Sequence, residues 1–203
     1  MNGRTQMREL ITPHGAVPLP AFFPDATYGT VRATGHEDVE AAGIFGVEMN
    51  SFHLYNRPGA RLVKTLGGLH AFTGYNGAIL TDSGGFQFFS QIRENPEYGE
   101  IRDNEIIFRP DRGSEKITFT PEKSIQAQFQ FGSDIMMTLD LCTHPDDPEE
   151  VQRRSVELTV RWRQGAARSS ISWSRAKRAR GRCCSASCRA ARAGSFAWNA
   201  AQG

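Results

Sequence analysis

The first 162 residues alternate between short apolar runs and segments in which apolar side chains recur at helical spacing. Residues 44–49 and 78–81 are apolar enough for short buried strands. Residues 134–140 form a nearly continuous apolar run, which is typical of a strand buried on both faces of a parallel sheet. Because helical patterns lie between these runs, the sequence predicts an α/β fold with parallel strands.

Helices are predicted at four places. Residues 35–43 form a short helical pattern that ends at a glycine, and residues 62–69 return to helical spacing. A third helix begins after Thr120, which is a suitable N-cap, and ends at Gly132. The fourth covers residues 148–162.

Three other segments predict loops or antiparallel hairpins. Residues 9–20 indicate a hairpin around a Pro-His-Gly turn, and residues 50–59 indicate a loop. Residues 91–119 indicate a β excursion whose hairpin turns at residues 110–113. These segments are expected to lie outside the parallel sheet.

Two carboxylates stand where predicted strands end. Asp82 follows the strand at 78–81, and Asp140 closes the run at 134–140. In parallel barrels, reactive residues lie at this position. Asp82 could exchange a proton, and Asp140 could accept two adjacent N–H groups from the edge of a base. The alternatives are local roles, in which Asp82 caps a turn and Asp140 caps the following helix.

The segment after Asp82 has the composition of a ligand-binding loop. Gly84 and Gly85 allow the backbone to approach a ligand closely and to donate its N–H groups. Phe86 could stack on a flat ring. The alternative is a tight turn without a ligand, because glycine pairs are common in turns.

Other reactive side chains carry weaker signals. His53 is expected to be a hydrogen-bonded structural residue rather than a catalytic one, and Cys142 a small buried hydrophobe rather than a nucleophile. No metal site is predicted, since the spacing of a zinc site is absent from the other candidates, which are His36, His70, His144, Cys183, Cys184 and Cys188.

The composition and the N-terminus indicate where in the cell the protein is expected. The chain has 203 residues, of which 39% are hydrophobic and 23% are charged, and these are values of a globular protein. No apolar run approaches the ~20 residues that cross a bilayer, and the N-terminus has no secretory signal. A cytoplasmic protein without membrane contact is therefore expected.

Charge divides the chain into two parts. Residues 163–203 contain eight arginines and one lysine but no acidic residue, whereas the rest has 15 basic and 22 acidic residues. Such asymmetry is usually interpreted as a basic arm that binds nucleic acid.

Four blocks of residues together resemble the tRNA-guanine transglycosylases, also called queuine tRNA-ribosyltransferases. The resemblance covers roughly residues 8–162. Its most specific block is Thr81-Asp82-Ser83-Gly84-Gly85-Phe86-Gln87. The other blocks are Asn50-Ser51-Phe52-His53-Leu54 with Arg57-Pro58-Gly59, Gly68-Leu69-His70 with Phe72, and Thr120-Pro121-Glu122-Lys123-Ser124-Ile125-Gln126 followed by residues 132–135 and 140–143.

The resemblance implies a (β/α)8 TIM-like barrel, of which this chain would form an incomplete N-terminal portion that starts with the β-hairpin. The implied reaction exchanges guanine in a tRNA anticodon for a queuine-type deazaguanine base, through a covalent bond between an aspartate and the ribose. The implied partners are tRNA, the bases and a second copy of the chain. By family match, Asp82 moves the proton, and the base is bound by Asp82, Ser83, Gly84, Gly85, Phe86 and Asp140.

Parts of the family pattern are missing from this sequence. They are a Phe-Gly-Ile-Val-Gln-Gly-Gly segment, the nucleophilic aspartate, and the three cysteines and one histidine that bind zinc in the family. Read one base out of register, the codons for residues 183–191 permit Leu-Phe-Gly-Ile-Val-Gln-Gly-Gly. We therefore predict that residues 1–162 are the barrel portion and that residues 163–203 are a frame-shifted, disordered tail.

From this prediction we expect the chain alone to be an inactive member of a transferase family. The alternatives are a non-catalytic accessory subunit with the same fold, and a related enzyme that acts elsewhere in tRNA. A true basic arm in residues 163–203 would be expected to give tRNA binding a steep salt dependence.

Overall fold

A computed structural model describes residues 8–109 and 115–179 of the chain. Within them, strands and helices alternate in an α/β arrangement, and no described helix is both long and apolar enough to cross a membrane. The strands are β1 (Glu9–Thr12), β2 (Gly15–Pro18), β3 (Gly46–Met49), β4 (Ala78–Thr81), β5 (Gly99–Ile101), β6 (Ile106–Phe108), β7 (Ile117–Phe119) and β8 (Ile135–Met136). The helices are α1 (His36–Ala41), α2 (Ser51–Asn56), α3 (Ala60–Thr65), α4 (Leu69–Thr73), α5 (Gly85–Glu94), α6 (Pro121–Phe131) and α7 (Glu149–Ala179).

The central sheet is parallel and follows chain order. β3 pairs with β4, and β4 pairs with β8. On the outer side of β3, Asp25 forms a parallel bridge with Glu48. The predicted α/β class with parallel strands is therefore confirmed. Because three strands form this sheet among the described residues, the (β/α)8 barrel stays a prediction.

The two predicted antiparallel elements are present. β1 and β2 form the N-terminal hairpin, and β5, β6 and β7 form an antiparallel sheet. The predicted start of the β excursion at residue 91 is wrong, because residues 91–94 complete helix α5. The predicted turn at residues 110–113 lies outside the described residues.

The prediction of a loop at residues 50–59 is also wrong. Asn50 caps helix α2 by accepting a hydrogen bond from the backbone N–H of His53 at 3.2 Å. The predicted helix at residues 62–69 is interrupted, because α3 ends at Thr65 and Gly67 and Gly68 then take φ angles of +102° and +100° before α4 begins. A Cβ at Gly68 would lie 2.9 Å from the carbonyl oxygen of Phe131, so this close approach of α6 also requires glycine.

Helix α6 has the predicted caps, and it holds the ends of β4 and β8 beside each other. Thr120 accepts from the N–H of Lys123, and Gly132 closes the helix with a left-handed conformation. Gln128, which is fully buried, accepts a hydrogen bond from Thr81 at 3.0 Å and from the N–H of Met137 at 3.0 Å. The ends of β4 and β8 are thereby fixed beside each other.

Helix α7 continues beyond residue 162. Leu158, Trp162 and Ala166 are buried, and Gly165 approaches α6 so closely that a Cβ would lie 2.5 Å from a carboxylate oxygen of Glu122. Residues 163–179, predicted to be disordered, are thus helical, because the buried stripe of α7 extends past Trp162 and packs on α6. Residues 180–203 lie outside the described residues.

We expect Trp162→Phe to lower the free energy of unfolding by about 1 kcal/mol. The Trp162 side chain is 2% exposed, and its indole N–H donates to the carbonyl oxygen of Asp103 at 2.7 Å, a bond that phenylalanine cannot make. Urea unfolding followed by circular dichroism measures the change. A free energy within 0.3 kcal/mol of the original, which is below the usual value of such a bond, would show that α7 does not dock as described.

Candidate active site

The carboxylate of Asp82 is held where β4 ends. Its two oxygens accept from the side-chain amide of Asn50 at 2.5 Å and from the backbone N–H of Ser51 at 2.6 Å. The Ser51 hydroxyl donates to the backbone carbonyl of Asp82 at 2.7 Å. The first turn of α2, in a segment predicted as a loop, therefore orients Asp82, and the capping residue Asn50 was the sequence signal that could have shown this.

A second carboxylate is tied to the same loop through Ser83. The Ser83 hydroxyl donates to Asp140 at 2.6 Å and accepts from the backbone N–H of Gly85 at 3.1 Å. The Cys142 thiol donates to the other oxygen of Asp140 at 3.4 Å. Asp82 and Ser83 directly follow β4, and Asp140 meets them through Ser83. The predicted strand over residues 134–140 is wrong in length, because β8 covers only Ile135–Met136 and Asp140 lies four residues beyond it.

The two glycines are required by this geometry. Gly84 has a φ of +75°, which favours glycine, at the start of α5. A Cβ on Gly85 would lie 2.4 Å from the carbonyl oxygen of Asp140, closer than atoms can approach. Phe86 is 59% exposed, so its ring is accessible next to this loop.

A polar cavity of about 450 Å³ opens beside Asp82. Asp140 joins this site through Ser83 and is not among the residues that line the cavity. Sequence reasoning missed most of the lining, because its residues come from three separate segments, 25–28, 48–53 and 82–87. The lining residues are Asp25, Thr27, Tyr28, Glu48, Asn50, His53, Asp82 and Gln87.

The cavity is strongly acidic. Burial raises the pKa of Asp82 to about 6 and the neighbouring Asp140 adds to this, although backbone N–H groups of Ser51 and Gly84 oppose it. Burial, with Asp82 and Asp25 nearby, raises the pKa of Glu48 to about 7. Near neutral pH, this site can therefore take up or release protons.

The two remaining candidates, Cys142 and His53, both lie close to this site. Burial and the nearby Asp140 raise the pKa of the Cys142 thiol to about 12, so Cys142 is held as a neutral thiol that donates to Asp140. His53 lines the cavity, and its ring packs edge-on against Phe52. Neither arrangement resembles an activated nucleophile with its base.

Comparison with known proteins shows the family of this chain. Residues 3–181 match the family model described as "Queuine tRNA-ribosyltransferase". The chain belongs to the queuine tRNA-ribosyltransferase family. The resemblance inferred from the motif at residues 81–87 is therefore confirmed.

Several curated family members are similar to the chain at about the same level. A queuine tRNA-ribosyltransferase of Azotobacter vinelandii is 41% identical over 172 residues, which cover 84% of this chain and 44% of that protein. One of Enterococcus faecalis is 41% identical over 157 residues, which cover 77% of this chain and 40% of that protein. The chain thus spans less than half the length of these relatives.

Proposed function

We propose that this chain carries the base-binding part of a site that exchanges guanine in a tRNA anticodon for a queuine-type deazaguanine. One observation carries the proposal. Ser83 links Asp140 to the loop after Asp82, so two carboxylates that follow the neighbouring parallel strands β4 and β8 belong to one site beside a polar cavity. Family membership and the relatives' names support the reaction class.

The base is held by groups with complementary chemistry. Asp140, fixed by the hydroxyl of Ser83 and the thiol of Cys142, accepts from adjacent N–H groups on the edge of a guanine-like base. Phe86 stacks on the flat ring, and the backbone at Gly84 and Gly85 approaches it closely. To reach this site, the target base must leave the anticodon stack.

Asp82 moves the proton when one base leaves and the other enters. A carboxyl group with a pKa of about 6 exchanges a proton readily near neutral pH, because both of its protonation states are populated there. Asn50 and Ser51 keep its oxygens in place during this exchange. The covalent bond to the ribose requires a further aspartate. No segment of this sequence matches the family motif that carries this aspartate.

The described part of the chain has no set of donor residues that fits the zinc ion implied by the family resemblance. The family pattern requires three cysteines and one histidine, whereas Cys142 is the free cysteine described, and it donates its thiol proton to Asp140 instead of presenting a thiolate. No step of the proposed exchange is therefore assigned to zinc.

The 203 residues alone are proposed not to catalyse the exchange. They supply a base site and a proton carrier but no matched nucleophile, and residues 163–203 are proposed to be frame-shifted. The complete enzyme would act on tRNA in the cytoplasm as a homodimer. Sequencing the DNA through codons 160–203 and several hundred bases beyond tests the frame, and a stop codon or unrelated residues in the alternative frame would refute it.

Incorporation of labelled guanine into tRNA tests the activity. We expect no incorporation above background by the purified 203-residue chain and clear incorporation by the product of a frame-restored gene. Asp82→Asn in the restored enzyme should abolish it, with Asp146→Asn as the matched control, because Asp146 is exposed. Incorporation by the 203-residue chain itself would contradict the proposed inactivity.

A further inference from the structure

A second group of convergent polar side chains lies at the opposite end of the parallel sheet from Asp82. His14 comes from the turn of the β1–β2 hairpin, His70 from α4, and Asp134 from the residue before β8. His14 Nδ1 lies 2.8 Å from one oxygen of Asp134, and His70 Nε2 lies 3.2 Å from the other. Three distant segments thus meet at one carboxylate.

The two imidazoles are arranged side by side. Their rings stack with centroids 3.5 Å apart and an interplanar angle of 15°. The donor atoms of all three residues lie within 4.8 Å of one another. Because stacked rings point their nitrogens in nearly parallel directions, and because His70 Nε2 also lies 3.1 Å from the carbonyl oxygen of Gly77, the rings must rotate for both nitrogens to face one ion.

Hydrogen bonds favour the ionised form of the Asp134 carboxylate. The Asp134 side chain is 1% exposed, and one oxygen also accepts from the backbone N–H of Ile79 at 2.9 Å. Although burial acts in the opposite direction, hydrogen bonds from His70, Ile79 and His14 hold the pKa of Asp134 below its usual value. A backbone bond of this kind orients metal ligands in known sites.

We propose that His14, His70 and Asp134 form a binding site for a divalent transition-metal ion of the Zn²⁺ type. Two imidazole nitrogens and one carboxylate oxygen are the donors that such an ion prefers. The His14 side chain is 36% exposed, so an ion can enter and water can complete a tetrahedral shell. On binding, each neutral imidazole carries its hydrogen on the ring nitrogen that does not face the metal.

The site would tie the N-terminal hairpin to the sheet. It joins the turn of β1–β2 to α4 and to the start of β8, far from the residues assigned to base binding. Its role is therefore structural, and the inference does not depend on the proposed function. It also differs in residues and donor types from the cysteine-rich zinc site implied by the family resemblance.

Titration with Co²⁺, followed by its visible absorption, tests the site in the full chain. A background variant with Cys183, Cys184 and Cys188 changed to serine removes competing thiolates. We expect one equivalent to bind with a tetrahedral spectrum that lacks sulfur charge-transfer bands, Zn²⁺ to displace it, and both ions to raise the midpoint of thermal unfolding.

His14→Asn is the principal variant, because it keeps a hydrogen-bond donor in an accessible turn and should not unfold the chain. It is expected to weaken Co²⁺ binding by about tenfold or more, as is Asp134→Asn if that variant folds. His144→Ala is the matched control, since His144 is another exposed histidine paired with an aspartate. Absence of saturable binding, or equal affinity of the His14→Asn variant and its background, would overturn the proposal.

Discussion

Replacing Asp140 with asparagine is expected to weaken the binding of guanine to this chain by roughly a hundredfold. The carboxylate is an acceptor on both oxygens, whereas an asparagine amide presents a donor on one side. That donor must face either the Ser83 hydroxyl, which now donates to Asp140 at 2.6 Å, or the N–H groups of the base. In either orientation an attraction is lost and two donors oppose each other.

The surrounding residues make this loss difficult to relieve. Cys142 donates its thiol to the second oxygen of Asp140, and Gly85 packs against the Asp140 backbone so closely that its Cβ position lies 2.4 Å from the carbonyl oxygen. The side chain therefore cannot rotate away without breaking these contacts. A loss of about 3 kcal/mol corresponds to the expected hundredfold change.

Isothermal titration of the 203-residue chain with guanine or a soluble deazaguanine measures this effect. Asp146→Asn is the control, because the Asp146 side chain is 88% exposed and should leave the affinity unchanged. Ser83→Ala should give a smaller loss, since it removes the group that orients Asp140 but leaves the acceptor. Equal affinities of the Asp140→Asn variant and the original chain would refute the assignment of Asp140 to the base.

The sequence singles out these two carboxylates because each follows an apolar run, although β8 itself ends at Met136, four residues before Asp140. Asp82 and Asp140 each close an apolar run, and parallel strands bring such ends together at one edge of a sheet. Ser83 was expected to bind the base by family match. Its bond to Asp140 joins residues 57 positions apart, and no local pattern indicates such a bond.

The rest of the cavity could not be predicted from local patterns. Glu48 is the single polar residue of a short strand. Nothing in the sequence shows that its side chain lines a cavity with Asp82. Asn50 was placed in a loop because helix α2 is only six residues long and has weak periodicity. Both residues gain their roles from pairing between β3 and β4, which is a long-range contact.

The histidine cluster illustrates the same limit. His14, His70 and Asp134 are separated by more than 50 residues each, so they lack the short spacing by which metal motifs are recognised. The spacing around His70 in the sequence therefore predicts no metal site. Only the docking of the hairpin near the starts of β4 and β8 brings the three side chains together.

Glu48→Gln is expected to stabilise the fold by about 1–2 kcal/mol at pH 8 and to have little effect at pH 4. Glu48 is half-buried beside Asp82 and Asp25, and these surroundings raise its pKa to about 7. The full shift would correspond to about 3 kcal/mol, and partial solvent screening reduces it. Glutamine has nearly the same shape but carries no charge.

The direction of the pH dependence follows from proton binding. Between pH 4.5 and pH 7 the folded chain holds a proton on Glu48 that the unfolded chain has released, so this residue makes the fold less stable as the pH rises through that range. Above pH 7 the buried charge is present and its cost is complete. Below pH 4.5 the side chain is neutral in both states, and glutamine should then offer no advantage.

Urea unfolding of the original chain and the Glu48→Gln variant between pH 4 and pH 8 tests this expectation. Glu157→Gln, a change at an exposed position on α7, serves as the control and should give the same small difference at every pH. A stability gain that does not depend on pH would mean that the effect arises from packing, and the charged cavity would then have no part in it.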